Sequence, residues 1–118
     1  MQTITRDAVL AALTRHIGRC NGVTAQHLVR EIRGDMDLPL FIEAAEERQL
    51  REVIVALRCE GHHIGAHPSS GYYICATPEE LDEACLFLFD RAMTSLQQVS
   101  AMKKVSLPDL KGQLRLPT

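Results

Sequence analysis

The sequence predicts a mainly α fold with one small β-hairpin (an α+β class) and a long C-terminal helix. Three observations carry that expectation. Apolar residues recur at helical spacing in several stretches, as Leu50, Val53, Ile54 and Leu57 do at i, i+3, i+4 and i+7. The short, partly alternating runs His62 to His67 and Tyr72 to Ala76 flank Pro68-Ser69-Ser70-Gly71, which is turn chemistry between two strands. Finally, Thr77-Pro78-Glu79-Glu80 combines a capping residue, a proline at the first helical position and acids facing the positive helix end.

Taken in order, the first helix is expected from Arg6 to about Cys20, capped by Thr5, with Val9, Leu10, Leu13 and Ile17 as its buried stripe and Asn21-Gly22 as its end. Val23 is expected to add a short strand-like contact. Thr24 then caps a second helix from Ala25 to about Arg33, with Leu28, Val29 and Ile32 inward and Gly34 as its stop. A third helix runs from near Glu43 to near Glu60 and stops at Gly61, which can take the left-handed backbone conformation that ends a helix. Its outward face carries Arg48, Glu52, Val55 and Cys59, with Gln49 and Arg51 on the flanks. In the hairpin, Ile64 opposite Ile74 and Ala66 opposite Tyr72 put the apolar residues on one face, which turns His63, His67, Tyr73 and Cys75 outward. The fourth helix extends from Pro78 to about Lys104. Leu81, Cys85, Leu88 and Ala92 form one stripe; Leu86, Phe89, Met93 and Leu96 form a second beside it, continued by Val99 and Met102.

The passage from the third helix into the hairpin, Leu57-Arg58, Gly61, Ile64 and Gly71-Tyr72-Tyr73-Ile74, resembles the helix-to-wing phrase of winged helix-turn-helix DNA-binding domains of the biotin-repressor-like and bacteriophage-encoded kind. Asn21-Gly22-Val23-Thr24 and the residues after it are similar to the entry into the helix-turn-helix of many bacterial regulators. The resemblance covers about residues 4 to 77. It implies a winged helix-turn-helix over 1–77, followed by the long helix over 78–104 and a docking or flexible tail over 105–118. One stretch departs from the family. Asp35 to Ile42, broken by Pro39, stands where a turn of three or four residues usually joins the two helices, with Leu38, Phe41 and Ile42 expected against the core.

What the resemblance implies for function is binding of duplex DNA, in regulation of transcription or replication in a bacterial or bacteriophage setting. Arg48, Gln49 and Arg51 would enter the major groove, where arginine can pair with guanine and glutamine with adenine. Thr24, Gln26 and His27, with His67, Ser69 and Ser70 at the wing tip, would contact phosphates. The other reading of the third helix is that Arg48 and Arg51 form surface ion pairs with Glu47 and Glu52. Glu46, Glu47 and Glu52 beside the arginines would repel phosphate. The net charge of −2 requires any DNA face to be local. Arg6, Arg15, Arg19, Arg30 and Arg33 make the first 33 residues basic, and the tip itself carries no strong cation.

For the fourth helix, self-association through Leu81, Cys85, Leu88, Phe89, Met93 and Leu96 is the expectation, with packing back onto its own domain as the alternative. A dimer would place two DNA-binding units on half-sites about one helical turn apart. The competing function is a protein-interaction module on the same scaffold that does not bind DNA. Leu107, Leu110, Leu114 and Leu116 in the tail read either as a docking peptide or as a frayed end. No apolar run is long enough to span a membrane and the N-terminus does not read as a signal peptide, so a cytoplasmic protein is expected. Cys20, Cys59, Cys75 and Cys85 are spread without a CxxC pair, and reduced, mostly buried thiols are the expectation. Cys59, His62, His63, His67 and Cys75 form the nearest thing to a metal cluster, but four converging ligands are not visible. No nucleotide-binding loop or oriented Cys–His pair stands out. Neither cofactor, metal nor enzymatic activity is expected.

Overall fold

The computed structural model describes residues 4–34 and 44–104. It contains α1 (Arg6–Leu13), a 3-10 turn (Arg19–Asn21), α2 (Ala25–Arg33), α3 (Ala44–Cys59), the antiparallel strands β1 (Ile64–His67) and β2 (Gly71–Ile74), and α4 (Pro78–Lys103). The chain is thus mainly helical with one two-stranded hairpin and a long C-terminal helix, as its residue pattern predicts. It divides into two compact units between Ala84 and Cys85.

In the first unit, α1, α2 and α3 pack on one another around Val9, Leu13, Leu28, Val29, Leu50, Ile54 and Leu57, each at most 1% exposed. Burial of such side chains supplies the main stabilising term, about 1.5–3 kcal/mol for each that is fully removed from water. The helix ends follow local chemistry. Thr5 Oγ1 accepts from the Ala8 N–H at 3.2 Å, and Thr24 Oγ1 accepts from the His27 N–H at 3.3 Å. After α3, Gly61 sits at φ +102°. Its N–H donates to the Arg58 carbonyl, and the His62 N–H donates to the Leu57 carbonyl at 3.0 Å. That paired closure is the Schellman arrangement, and it needs a residue that tolerates positive φ. At the surface, Arg6 clasps Glu60 through two hydrogen bonds of 2.6 and 2.9 Å, which ties the start of α1 to the end of α3.

The first helix is shorter than expected. It stops at Leu13, and Ile17 is 51% exposed instead of completing the buried stripe. The reason lies in β2, whose outer edge needs backbone partners. The Ile74 N–H donates to the His16 carbonyl and the Gly18 N–H donates to the Ile74 carbonyl, both at 2.8 Å. Residues 16–18 are therefore recruited as a parallel bridge to β2, and a helix through them would leave those strand groups unpaired. Val23 makes the expected strand-like contact on the same edge, exchanging hydrogen bonds of 2.8 and 2.7 Å with Tyr72. The Asn21-Gly22 pair ends the 3-10 turn rather than α1.

The hairpin register is the expected one, with Ile64 opposite Ile74, Gly65 opposite Tyr73, Ala66 opposite Tyr72 and His67 opposite Gly71. Tyr73 nevertheless does not point into solvent; it is 2% exposed. Its ring lies across its cross-strand partner Gly65, where even a Cβ would overlap the phenol. Glycine thus creates the recess that an aromatic ring fills.

In α4, Thr77 Oγ1 accepts from the Glu80 N–H at 3.2 Å, and the Glu80 carboxylate reaches back to the Ala76 N–H at 2.9 Å. Only Ala84 is buried along the helix. Cys85 is exposed, as are Leu86, Leu88 and Phe89 at 59, 42 and 60%, while Leu81, Met93, Leu96 and Val99 are half-buried. The thiols also differ from expectation: Cys20, Cys59 and Cys85 are exposed and Cys75 is half-buried, all four free. Cys20 sits on the 3-10 turn and Cys59 on the outer face of α3, so neither meets the core. The stretch from Asp35 to Ile42 and the leucine-bearing tail lie outside the described residues.

Candidate nucleic-acid interface

The outward face of α3 is set by its apolar stripe. With Leu50, Ile54 and Leu57 fixed inward, Arg48, Gln49, Arg51, Glu52, Val55 and Cys59 are all exposed. Among the described residues, no ion pair joins Arg48 or Arg51 to Glu47 or Glu52. Glu46 does not share this face. It pairs with Arg33 of α2 at 2.8 Å, with both side chains about four-fifths buried. One of the three acids that would repel phosphate is therefore drawn inward and neutralised. Glu47 is half-buried. Burial pushes the Tyr72 hydroxyl above its ordinary pKa, opposed by Arg58 and Arg51 and reinforced by Glu47.

Thr24, Gln26 and His27 are exposed on the first turn of α2, where unpaired N–H groups point outward. Thr24 is also engaged in the cap, and its hydroxyl lies 3.3 Å from His27 Nδ1. This turn is joined to the hairpin through the Val23–Tyr72 pairing, and Gly71 packs so closely on Val23 that a Cβ there would overlap its carbonyl. The α2 start and the hairpin turn consequently form one continuous edge of the first unit.

Ser69 is exposed, but Ser70 and His67 are half-buried. Arg19 donates to His67 Nε2 at 2.9 Å, and Ser69 Oγ lies 2.7 Å from His67 Nδ1. Because a guanidinium only donates, the ring nitrogen facing it accepts. Arg19, brought from 48 residues away, supplies a cation at a tip that has none in its own sequence. Its charge is met by Glu83 at 3.3 Å, and its backbone N–H donates to Glu80 at 3.2 Å. Hydrogen bonds from Ala76 and Arg19 backbone N–H groups hold the Glu80 carboxyl below its ordinary range. Burial, the neighbouring Cys75 and the two carboxylates push Tyr73 upward, against Arg19. No signal within the His67–Gly71 stretch could have revealed Arg19, since the contact exists only once residues 16–18 pair with β2.

Arg15, Glu31 and Asp7 rim an open groove of about 520 Å³ between α1 and α2, floored by Ala8, Ala11, Ala12 and Ile32. On its far side His16 bridges the irregular segment to α2, with Nδ1 2.9 Å from the Asn21 carbonyl and Nε2 2.9 Å from the Glu31 carboxylate. Among the described residues, no three His, Cys, Asp or Glu groups converge as metal ligands would. No helix among them is long and apolar enough to cross a membrane. Comparison with protein-family models, with curated proteins and with solved structures finds no match to this chain.

Proposed function

We propose that this protein binds duplex DNA as a winged helix-turn-helix, regulating transcription or replication in a bacterial or bacteriophage cell. The observation that supports the reading most is on α3. Arg48, Gln49 and Arg51 stand exposed together, without ion pairs among the described residues, while Glu46 is turned away to Arg33. In this reading each guanidinium offers a pair of parallel N–H groups to guanine O6 and N7, and the Gln49 amide both donates to and accepts from adenine. The exposed first turn of α2, with Thr24, Gln26 and His27, and Ser69 at the wing would hold phosphate oxygens and fix the register of α3 in the groove. His67 and Ser70 are better suited to shaping the tip than to touching DNA, because both are half-buried.

Titration with random-sequence duplex DNA at low and at physiological salt tests the reading. Phosphate contacts predict affinity that falls steeply with salt, by about 0.9 in the logarithmic slope for each phosphate neutralised. Arg48→Glu and Arg51→Glu should each weaken binding by about five- to a hundredfold. Absence of binding at low salt, or unchanged affinity in both variants, would sink the DNA reading. The second reading, a scaffold that docks another protein, draws on the exposed Leu86, Leu88 and Phe89 of α4.

A further inference from the structure

The apolar face of α4 is coupled to an uneven distribution of charge. Glu79, Glu80, Asp82, Glu83 and Asp90 occupy its first half with no cation among them, Arg91 and Lys103 lie in the rest with no acid, and Lys104 follows directly after it. Glu80 and Glu83 are turned to Arg19, but Glu79 and Asp82 are exposed, as are Lys103 and Lys104. Between the two charged ends runs a wide apolar arc containing Cys85, Leu86, Phe89, Met93, Leu96 and Val99. Leu86 and Phe89 are about 60% exposed and Cys85 is exposed, while Met93, Leu96 and Val99 are half-buried.

We propose that this face is covered by α4 of a second copy of the chain, running antiparallel. In that direction the acids at the start of one helix lie beside the lysines at the end of the other. A parallel pair would instead set acid against acid and lysine against lysine, each destabilising in close proximity. Reversal about the middle of the helix, near Ala92 and Met93, also brings Leu86 and Phe89 of one copy against Val99 and Leu96 of the other. The apolar contact from residue 86 to residue 99 runs about 20 Å, several turns on each helix. The direction of pairing is thereby encoded in charge at the ends, and its strength in the apolar middle. This inference stands apart from DNA binding and can fail without it.

Sedimentation equilibrium and directed crosslinking of the full chain test it. The unaltered protein should have twice the monomer mass at high micromolar concentration. Lys103→Glu with Lys104→Glu should raise the dissociation constant at least about tenfold, the scale of a lost end-to-end charge match. Adding Glu79→Lys and Asp82→Lys to that variant should restore association, since the two ends again have opposite sign. In S100C, mild oxidation should join native Cys85 of one copy to the introduced thiol of the other, with the bridged peptides identified by mass. A monomeric protein at that concentration overturns the proposal. So do bridges confined to Cys85–Cys85 pairs, which mark a parallel pair. A third overturning result is a charge reversal that lowers helix content but leaves the mass doubled, because the charges then serve only the dipole of their own helix.

Discussion

Two helices of this chain, α3 and α4, have similar apolar patterning and opposite fates. α3 presents Leu50, Ile54 and Leu57 along one side, and all three are at most 1% exposed. α4 is ten residues longer, 26 against 16, yet buries only Ala84 and leaves Leu86, Leu88 and Phe89 open. Helical periodicity states which residues share a face; it does not state whether a neighbour is there to cover it. α3 meets α1, α2 and β1. Polar residues differ in the same way. The Arg33–Glu46 pair of α2 and α3 is mostly buried, whereas Glu79, Asp82 and Lys103 of α4 are exposed. α3 stabilises the fold of the first unit, whereas α4 keeps much of its apolar surface in water.

The largest expected contrast comes from truncating the two stripes. Ile54→Ala should cost about 2–5 kcal/mol in urea unfolding, because it leaves a cavity among fully buried neighbours. Leu86→Ala, measured where the chain is monomeric, should stay within about 0.5 kcal/mol. An equal cost at both positions would erase the distinction between the helices. Next in size is the hairpin, which stands between α3 and α4 in sequence. Gly65→Ala should destabilise by about 1–3 kcal/mol through overlap with the Tyr73 ring. The same change in a Tyr73→Ala background should cost much less, and additive effects would show that the ring does not rest on Gly65.

A smaller effect separates the two helix starts. Thr24→Ala removes the side-chain acceptor at the head of α2 and should cost about 1 kcal/mol. Thr77→Ala should cost less, because the Glu80 carboxylate still holds the Ala76 N–H. Circular-dichroism melts of the two variants provide the check. The smallest effect concerns Glu80. Its carboxyl is held below its ordinary value of 4.5, chiefly by the Ala76 N–H and then by that of Arg19. Its contribution is therefore complete above that value and is lost as pH falls through the depressed value of the folded state. Glu80→Gln should lower the unfolding midpoint slightly at neutral pH and leave it unchanged in stronger acid. A difference that persists unaltered into acid would mean that the charge of Glu80 is not what holds the start of α4.

Much of this architecture could be read without tertiary information wherever the signal was local. Thr5, Thr24 and Thr77 as caps, Gly34 and Gly61 as stops, and the Ile64–Ile74 register all depend on residues within a turn or two of each other. The candidate interface was legible in outline for the same reason, since a fixed inward stripe on α3 forces Arg48, Gln49 and Arg51 outward. What could not be read was pairing between distant segments. Leu13 and Ile17 continue a helical spacing, but the strand edge at Ile74 takes residues 16–18 for its own hydrogen bonds. Tyr73 alternates outward on paper, yet the missing side chain of Gly65 opens a place for it. Glu46 reads as one acid in an acidic run until Arg33 of another helix removes it from the face.

The sequence by itself determined the order of elements, most of their ends and which side of each helix is apolar, because those depend on backbone preferences and periodicities spanning a few residues. Only the tertiary structure decided where α1 stops, why Tyr73 is buried and how Arg19 reaches His67. Unpaired strand groups and buried charges must find partners, and those partners lie where the folded chain brings them, not where the sequence places them in line.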